Sequence, residues 1–441
     1  MFIWRTVGAF APTGFPYRVK VMKSMKKILA LTLTAVMLLA LFSACVQSNP
    51  SNNTGSNIST LEDEKGATLK ILIPGHNSQD PDTWTYPVIE EYRKLYPDVT
   101  VEFVAASWAD SMDKLLAAYQ SGDPIDLIHT GVNNHPRFAM QGITQPIEPY
   151  VDMTNPALQK ETMDSSFMYD GKCYLAAAET NYGIIFFNKK MFADAGLPNP
   201  YELYEQGKWN WDNFLKYAKQ MTDSSKGQWG YSTEYPYLFY GSNKTSTLDI
   251  KDGKFVLNMD DPAFVASLEL LQDGALNKWS GWEGSSMASF QTGKSAMLGS
   301  FTQYEPDINS LAVIFGWDPI DYGAVPLPVG PNNPDGYNMV HSAGFAIGQG
   351  SDCPDHTGKL IDMMVTAYAQ MRVDERKDLP QAHKDLYAEM SKKQFCVNTR
   401  DSAVGGGYEL AQAVSGGQSI AQAIEELKPQ YQRKIDEVNG G

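Results

Sequence analysis

Three apolar strands separated by two amphipathic helices open the folded part of the chain, and that order constrains everything after it. Residues 68–74 (TLKILIP) read as a strand. Residues 84–96 carry Val88, Ile89, Tyr92 and Leu95 at helical spacing and stop at Pro97. Residues 99–105 (VTVEFVA) form a β-branched strand, residues 111–121 a helix ended by Gly122, and residues 125–129 a buried strand. Such alternation builds βαβ units and a parallel sheet, whose ligands sit at the carboxyl ends of the strands. Loops 75–84 and 130–137 fall at that edge. The pattern restarts with a strand at 182–187 and helices at 189–195 and 211–221, the latter capped by Asn210. A hairpin turned at Asp252-Gly253, a helix at 262–273 and a strand at 295–299 leading to Phe301 follow. Strands at 322–328 and 342–348 and helices at 356–369 and 419–438 complete it; Pro429 should kink the last helix.

The N-terminus sets the compartment. Lys20, Lys23, Lys26 and Lys27 precede an apolar run at 28–42, broken only by Thr32 and Thr34, and Ser43 and Ala44 then precede Cys45. A basic, apolar, small-residue order is that of a secretory signal peptide. The run is shorter than the ~20 residues that span a bilayer. Residues 1–21 fit no part of such a signal, so Met22 or Met25 competes with Met1 as the start. Residues 46–65 are polar and read as a flexible tether. The fold then begins near Gly66 with about 375 residues, more than one core usually serves, so two domains are expected. Residues 1–45 hold six Lys/Arg and no acid, which leaves 30 basic against 51 acidic residues and a formal charge of −21. That balance argues against nucleic acid and against capture by anionic lipid. Cys173, Cys353 and Cys396 are odd in number and widely spaced, so no disulfide framework or zinc site is indicated and at most one bridge could form.

Six stretches, in this order, resemble extracellular solute-binding proteins of the maltose-binding type, family 1. They are YPVIEEYRKLYPDVTVEFV, GDPIDLIHTG, GITQPIEPYVD, FMYDGKCYLAAAETNYGIIFFNKKMFADAGLP, FQTGKSAMLGSF and SIAQAIEELKPQYQRKID. Leu41-Phe42-Ser43-Ala44-Cys45 resembles a lipobox, with Phe42 where Leu is usual. The resemblance implies an α/β, two-lobed, periplasmic-binding-protein-like fold of type II with hinge-linked, discontinuous domains. Residues 66–178 and 323–368 would form lobe 1, and 179–322 and 369–441 lobe 2, with crossovers near 176–182, 318–324 and 368–373. Ala176 and Ala177 replace a Pro usual at the first crossover. It further implies a monomer lipidated at Cys45 on the outer face of the cell membrane. That monomer would bind a mono- or oligosaccharide without a cofactor and pass it to the permease of an ABC importer.

Sugars present an apolar C–H face and a rim of hydroxyls, so their sites need flat rings and groups that match hydroxyls. Aromatics make up 12% of the chain. Trp84, Tyr235, Trp279, Trp282 and Phe301 lie in or beside predicted loops at strand ends; caps of the core are the alternative for each. By resemblance, Thr130 follows the third strand, Asn133 and Asn134 stand where a charged pair is common, and Asn181 where a hinge carboxylate is common. Glu234 and Tyr235 match a Glu-x-aromatic contact, and Phe301 replaces a Trp. These changes suggest a sugar other than maltodextrin. His76, Asn77 and Ser342 complete the expected ligand set, a turn with satisfied hydrogen bonds being the alternative for His76 and Asn77; Arg400 is a surface residue by preference.

Catalytic and cofactor motifs do not hold. Gly293-Lys294-Ser295 lacks the earlier Gly of a P-loop, since Ala288 stands there. No HExxH or GxSxG occurs, His129 and His135 lie six apart, and no metal site is expected. Asp126 precedes a buried strand and reads as a structural hydrogen-bonding residue. Two alternatives remain open: an exported carbohydrate-active enzyme using Glu179 and Glu234, or a binding protein for a non-sugar solute.

Overall fold

The computed structural model describes residues 61–76, 83–107, 110–132, 134–281, 285–310, 315–396 and 407–440. Two sheets organise it. The first contains β1 (Thr68–Leu72), β2 (Thr100–Phe103), β3 (Leu127–Gly131), β4 (Thr144–Gln145) and β5 (Ala176–Ala177), joined from far along the chain by β10 (Ala343–Gly348). The second contains β6 (Gly183–Asn188), β7 (Trp229–Thr233), β8 (Ser295–Phe301) and β9 (Tyr322–Pro326). In the first, β1 pairs in parallel with β2 and β3, and β10 runs antiparallel to β3, β4 and β5. In the second, the order is β9-β6-β8-β7, with only β7 and β8 parallel.

Both faces of the second sheet are covered. Successive side chains on a strand point to opposite faces. Along β6, Ile184 and Phe186 accordingly join the core that holds Leu69, Ile71 and Phe345, whereas Ile185 and Phe187 join the core that holds Phe214, Tyr231 and Trp279. The terminal helices Tyr408–Ser415 and Ile420–Gly440 add Leu410, Val414, Tyr431 and Ile435 to that second core. The last helix runs through Pro429 as one element. At the expected hairpin, Asp252 and Gly253 have φ of 50° and 71°, the pair of positive values that a tight antiparallel turn requires.

Three boundaries differ from the sequence reading. β9, expected to open the return to the first lobe, is an antiparallel partner of β6, so the chain crosses back only between Pro326 and Ala343. The third crossover, expected at 368–373, falls inside one continuous helix, Pro354–Arg376, because no breaker interrupts it. The tether ends earlier than Gly66: Glu64 is 5% exposed, and its carboxylate accepts the backbone N–H groups of Asp355 and His356. Those donors are unsatisfied at any helix start, and a carboxylate also suits the positive end of the helix dipole. Cys353, at the cap position itself, supplies no side-chain bond.

Candidate functional site

The two connections between the sheets run side by side. Residues 178–182 lead out of β5 into β6, and residues 340–342 lead into β10. Tyr182 and Val340 form an antiparallel bridge, and the His341 N–H donates to the Asn181 carbonyl at 2.7 Å. The Ser342 hydroxyl donates to the Glu179 carbonyl at 2.5 Å. Both sheets present strand ends here. Phe301, the last residue of β8, pairs with Gly183, and the Thr302 N–H donates to the Tyr182 carbonyl. On the other side, the end of β3 meets the start of β10, with the Val132 N–H donating to the Ser342 carbonyl at 2.9 Å.

The long helix brings a charged stripe to this junction. Tyr368, Arg372 and Arg376 recur every four residues and so share a face. The Tyr368 hydroxyl donates to Glu179 Oε1 at 2.6 Å, and Arg372 Nε lies 2.9 Å from Glu179 Oε2. Arg372 also pairs with Glu375 and donates to the Gln303 carbonyl, two residues past β8. Arg376 donates to Asn181 Oδ1 at 2.8 Å. Burial alone would raise the Glu179 pKa, but Arg372, the Tyr368 hydroxyl and Arg376 outweigh it and hold the carboxyl below its usual value.

Rings line both sides. Trp84 packs edge-on against Tyr368 at 5.0 Å, with His76 and Phe345 at 6.0 and 6.2 Å. Across the junction, Tyr235 meets Phe301 at 5.0 Å and lies parallel to Tyr304 at 6.1 Å, while His341 lies flat on Phe301 at 4.1 Å. Beyond the first wall, Gly75, His76, Ala105, Ala106, Ser107, Asp110 and Lys114 line an open depression of about 330 Å³ at the ends of β1 and β2.

Residues 75–371 match the model for the bacterial extracellular solute-binding protein family. The chain belongs to that family. A Brucella abortus (strain 2308) sequence described as a binding protein is 23% identical over 338 residues, 72% of this chain and 77% of its own length. An ABC substrate-binding protein of Listeria monocytogenes, solved with cycloalternan, superposes with a TM-score of 0.64 at 17% identity, covering 84% of this chain and 99% of that one. The galacto-N-biose/lacto-N-biose I-binding protein of Bifidobacterium longum, solved with lacto-N-biose, gives 0.64 at 16%, covering 85% and 98%. These likenesses establish the two-lobed type II fold.

Against the hinge of this solute-binding protein, the expected ligand residues divide. His76, Trp84, Asn181, Tyr235, Phe301 and Ser342 gather at or beside the junction. Thr130 is buried at the end of β3 and accepts from Asn134 at 3.2 Å. Glu234 is exposed and accepts the Ser286 N–H, at the start of helix Ser286–Gln291. Trp279 is a correction: it is 1% exposed in the second core against Phe214, and its indole N–H donates to Asp273 at 2.7 Å. A large ring three residues past the helix Pro262–Leu276 packs back onto it because that is the nearest apolar surface. Phe301 is a second: it is 0% exposed. The Ser342 hydroxyl and Asn181 Oδ1 are engaged in hinge bonds, whereas the buried Asn181 Nδ2 has no hydrogen-bond partner among the described residues. Cys45, Asn77, Asn133, Trp282 and Arg400 lie outside the described residues. Sequence reasoning misses Arg372 and Arg376 because a helix ending at Ala369 leaves them out, and continuing its period finds them; Tyr368 falls inside that helix and is marked only by its distant partner Glu179. It also missed Tyr304 and His341, for which the sequence carries no signal beyond proximity to Phe301 and Ser342. Asp126 accepts from the Lys70 N–H and the Ser351 hydroxyl at 2.7 and 2.6 Å, a structural role. Cys173 and Cys353 are buried free thiols.

Proposed function

We propose that this chain is the exported substrate-binding component of an ABC importer, which closes two lobes over a mono- or oligosaccharide and delivers it to a membrane permease. The placement of Trp84 and Tyr368 on one side and of Tyr235 and Tyr304 on the other, beside the junction of the two connections, carries the reading. Rings take the C–H faces of a sugar, and neighbouring amides and hydroxyls take its rim. Ligand touching both walls favours the closed form, which is population shift by hinge closure. The two superposed structures were solved with saccharides, which supports the ligand class. The two-lobe division, a monomeric state, export by the N-terminal signal and anchoring through lipid on Cys45 belong to the same proposal.

Glycoside hydrolysis is disfavoured by the chemistry of Glu179. A general acid needs a raised pKa, whereas Arg372 and Tyr368 hold the pKa of this carboxylate below its usual value. A thermal-shift screen over mono- and oligosaccharides, amino acids and polyamines tests the reading, since a ligand of the native state raises its melting temperature. A saccharide that stabilises the protein and is recovered intact after long incubation is expected. Stabilisation by non-sugars alone, or turnover abolished by Glu179→Gln, would replace it. Mass spectrometry of the membrane fraction, with a Cys45→Ala control, tests the lipid anchor.

A further inference from the structure

Phe301 stands where the family resemblance puts a stacking ring, yet it has no face to offer. It is wholly buried, and the ring lying over it at 4.1 Å and 22° is His341, which is itself half-buried. His341 sits on the second connection between the lobes, and its backbone is held on all sides. Val340 bridges Tyr182, the His341 N–H donates to the Asn181 carbonyl, and the Ser342 hydroxyl donates to the Glu179 carbonyl. Behind the pair, Tyr235 and Tyr237 pack on Phe301 at 5.0 and 6.0 Å, so the imidazole rests on a rigid bed of rings.

We propose that His341 presents the flat ring to ligand at the hinge in the place of Phe301, an inference that rests on the saccharide reading above. An imidazole face suits the C–H face of a sugar ring. Its position on the pivot has a consequence that a residue on either wall does not share. Pivot residues move least when lobes close, so the contact is made in the open and the closed form alike. A contact of equal strength in two states tightens binding without moving the equilibrium between them. Tyr235, carried on the second lobe beyond the hinge, gains its contact on closure and so contributes to both.

Calorimetry with maltose, cellobiose and lactose on the mature chain, paired with small-angle scattering, separates these roles. His341→Ala should weaken binding of whichever sugar binds by about tenfold, a difference of about 1.4 kcal/mol. Compaction at saturation should match wild type. Tyr235→Ala should weaken binding and reduce compaction together. His341→Gln, which keeps hydrogen-bonding atoms but loses the ring, stands in if the Ala variant does not fold, with the same loss expected. Wild-type affinity in these His341 variants, with only the melting temperature lowered, would make His341 a packing residue and overturn the inference while leaving the saccharide reading intact. Lost compaction at saturating sugar in a His341 variant overturns it as well. Failure of wild-type protein to bind any mono- or oligosaccharide of the thermal-shift screen overturns the saccharide reading and this contact with it.

Discussion

The two walls of the junction hold their rings by different physics. In the first, Tyr368 is fixed through its hydroxyl to Glu179, which is fixed in turn by Arg372, so the position of the ring depends on a buried ion pair. In the second, Phe301, Tyr235, Tyr237 and Tyr304 hold one another, and the nearby polar ties are neutral: the Tyr235 N–H donates to Thr233 Oγ1, and Thr233 Oγ1 to the Gly299 carbonyl. A wall built on charge is sensitive to lost partners and to pH. A wall built on packed rings is sensitive to volume.

The largest contrast should come from removing one partner of the ion pair. Arg372→Gln leaves Glu179 buried without its main counter-charge, which costs about 3–5 kcal/mol. Phe301→Leu keeps a hydrophobe of similar volume and should cost less than about 1.5 kcal/mol. Urea unfolding of both variants checks the pair of values. Equal losses would mean that the two walls are built alike.

Acid should separate the lobes next. His129 and His135, both in the first lobe, are pushed down to about 4, by burial above all and, for His129, by the neighbouring His76. A histidine with a depressed folded pKa binds protons more weakly than in the unfolded chain. Its stabilisation is therefore complete above about pH 6.5 and is lost as the pH falls toward 4. Each could remove on the order of 3 kcal/mol over that window. Glu179, also depressed, would add a further loss at still lower pH. The urea midpoint should fall between pH 6.5 and 4, and His135→Asn should flatten the fall. A flat profile for the unaltered protein would show that neither imidazole is neutral by burial.

Much of the fold was legible in the sequence because it follows from local pattern. The β1–β2–β3 parallel unit, the Asn210 cap and the Asp252-Gly253 hairpin all come from spacing and turn chemistry. β9 pairs in the second sheet, which the sequence does not reveal, because a strand's own residues do not say which sheet completes its hydrogen bonds. Trp279 and Phe301 turn inward although the sequence suggests ligand rings, because an aromatic in a loop or at a strand end looks alike whether it faces solvent or the core. Glu64 lay in a polar stretch that composition alone calls a tether, and its partners are almost three hundred residues away. Site residues that depend on such distant pairings, Glu179 with Arg372 above all, are written in the sequence only as isolated charges.

A gentler change probes the charged wall without unpairing it. Tyr368→Phe keeps the ring beside Trp84 and removes only the bond to Glu179, a hydrogen bond to a charged group. A stability loss of about 1.5–3 kcal/mol is expected. Sugar affinity should fall as well, because the ring is no longer tethered at the junction. An unchanged denaturation midpoint would mean that Arg372 alone fixes Glu179.

The smallest effect should come from the far end of the same helix. Glu64 caps the start of Pro354–Arg376, and Tyr368, Arg372 and Arg376 ride near its end, so the cap and the charged wall share one rigid element. Glu64→Ala removes both capping bonds and should cost about 1 kcal/mol, the usual worth of an N-cap. The loss should fray only the first turn, since later turns are held by Leu360, Ile361, Met364 and Val365 in the first core. Hydrogen exchange should therefore speed at the amides of Asp355 and His356 and stay slow from Leu360 onward, with sugar affinity unchanged. Faster exchange reaching Arg372, or weakened binding, would mean that the cap sets the register of the whole helix. The charged wall would then depend on the segment leading in from the N-terminus, a dependence the ring-packed wall does not have.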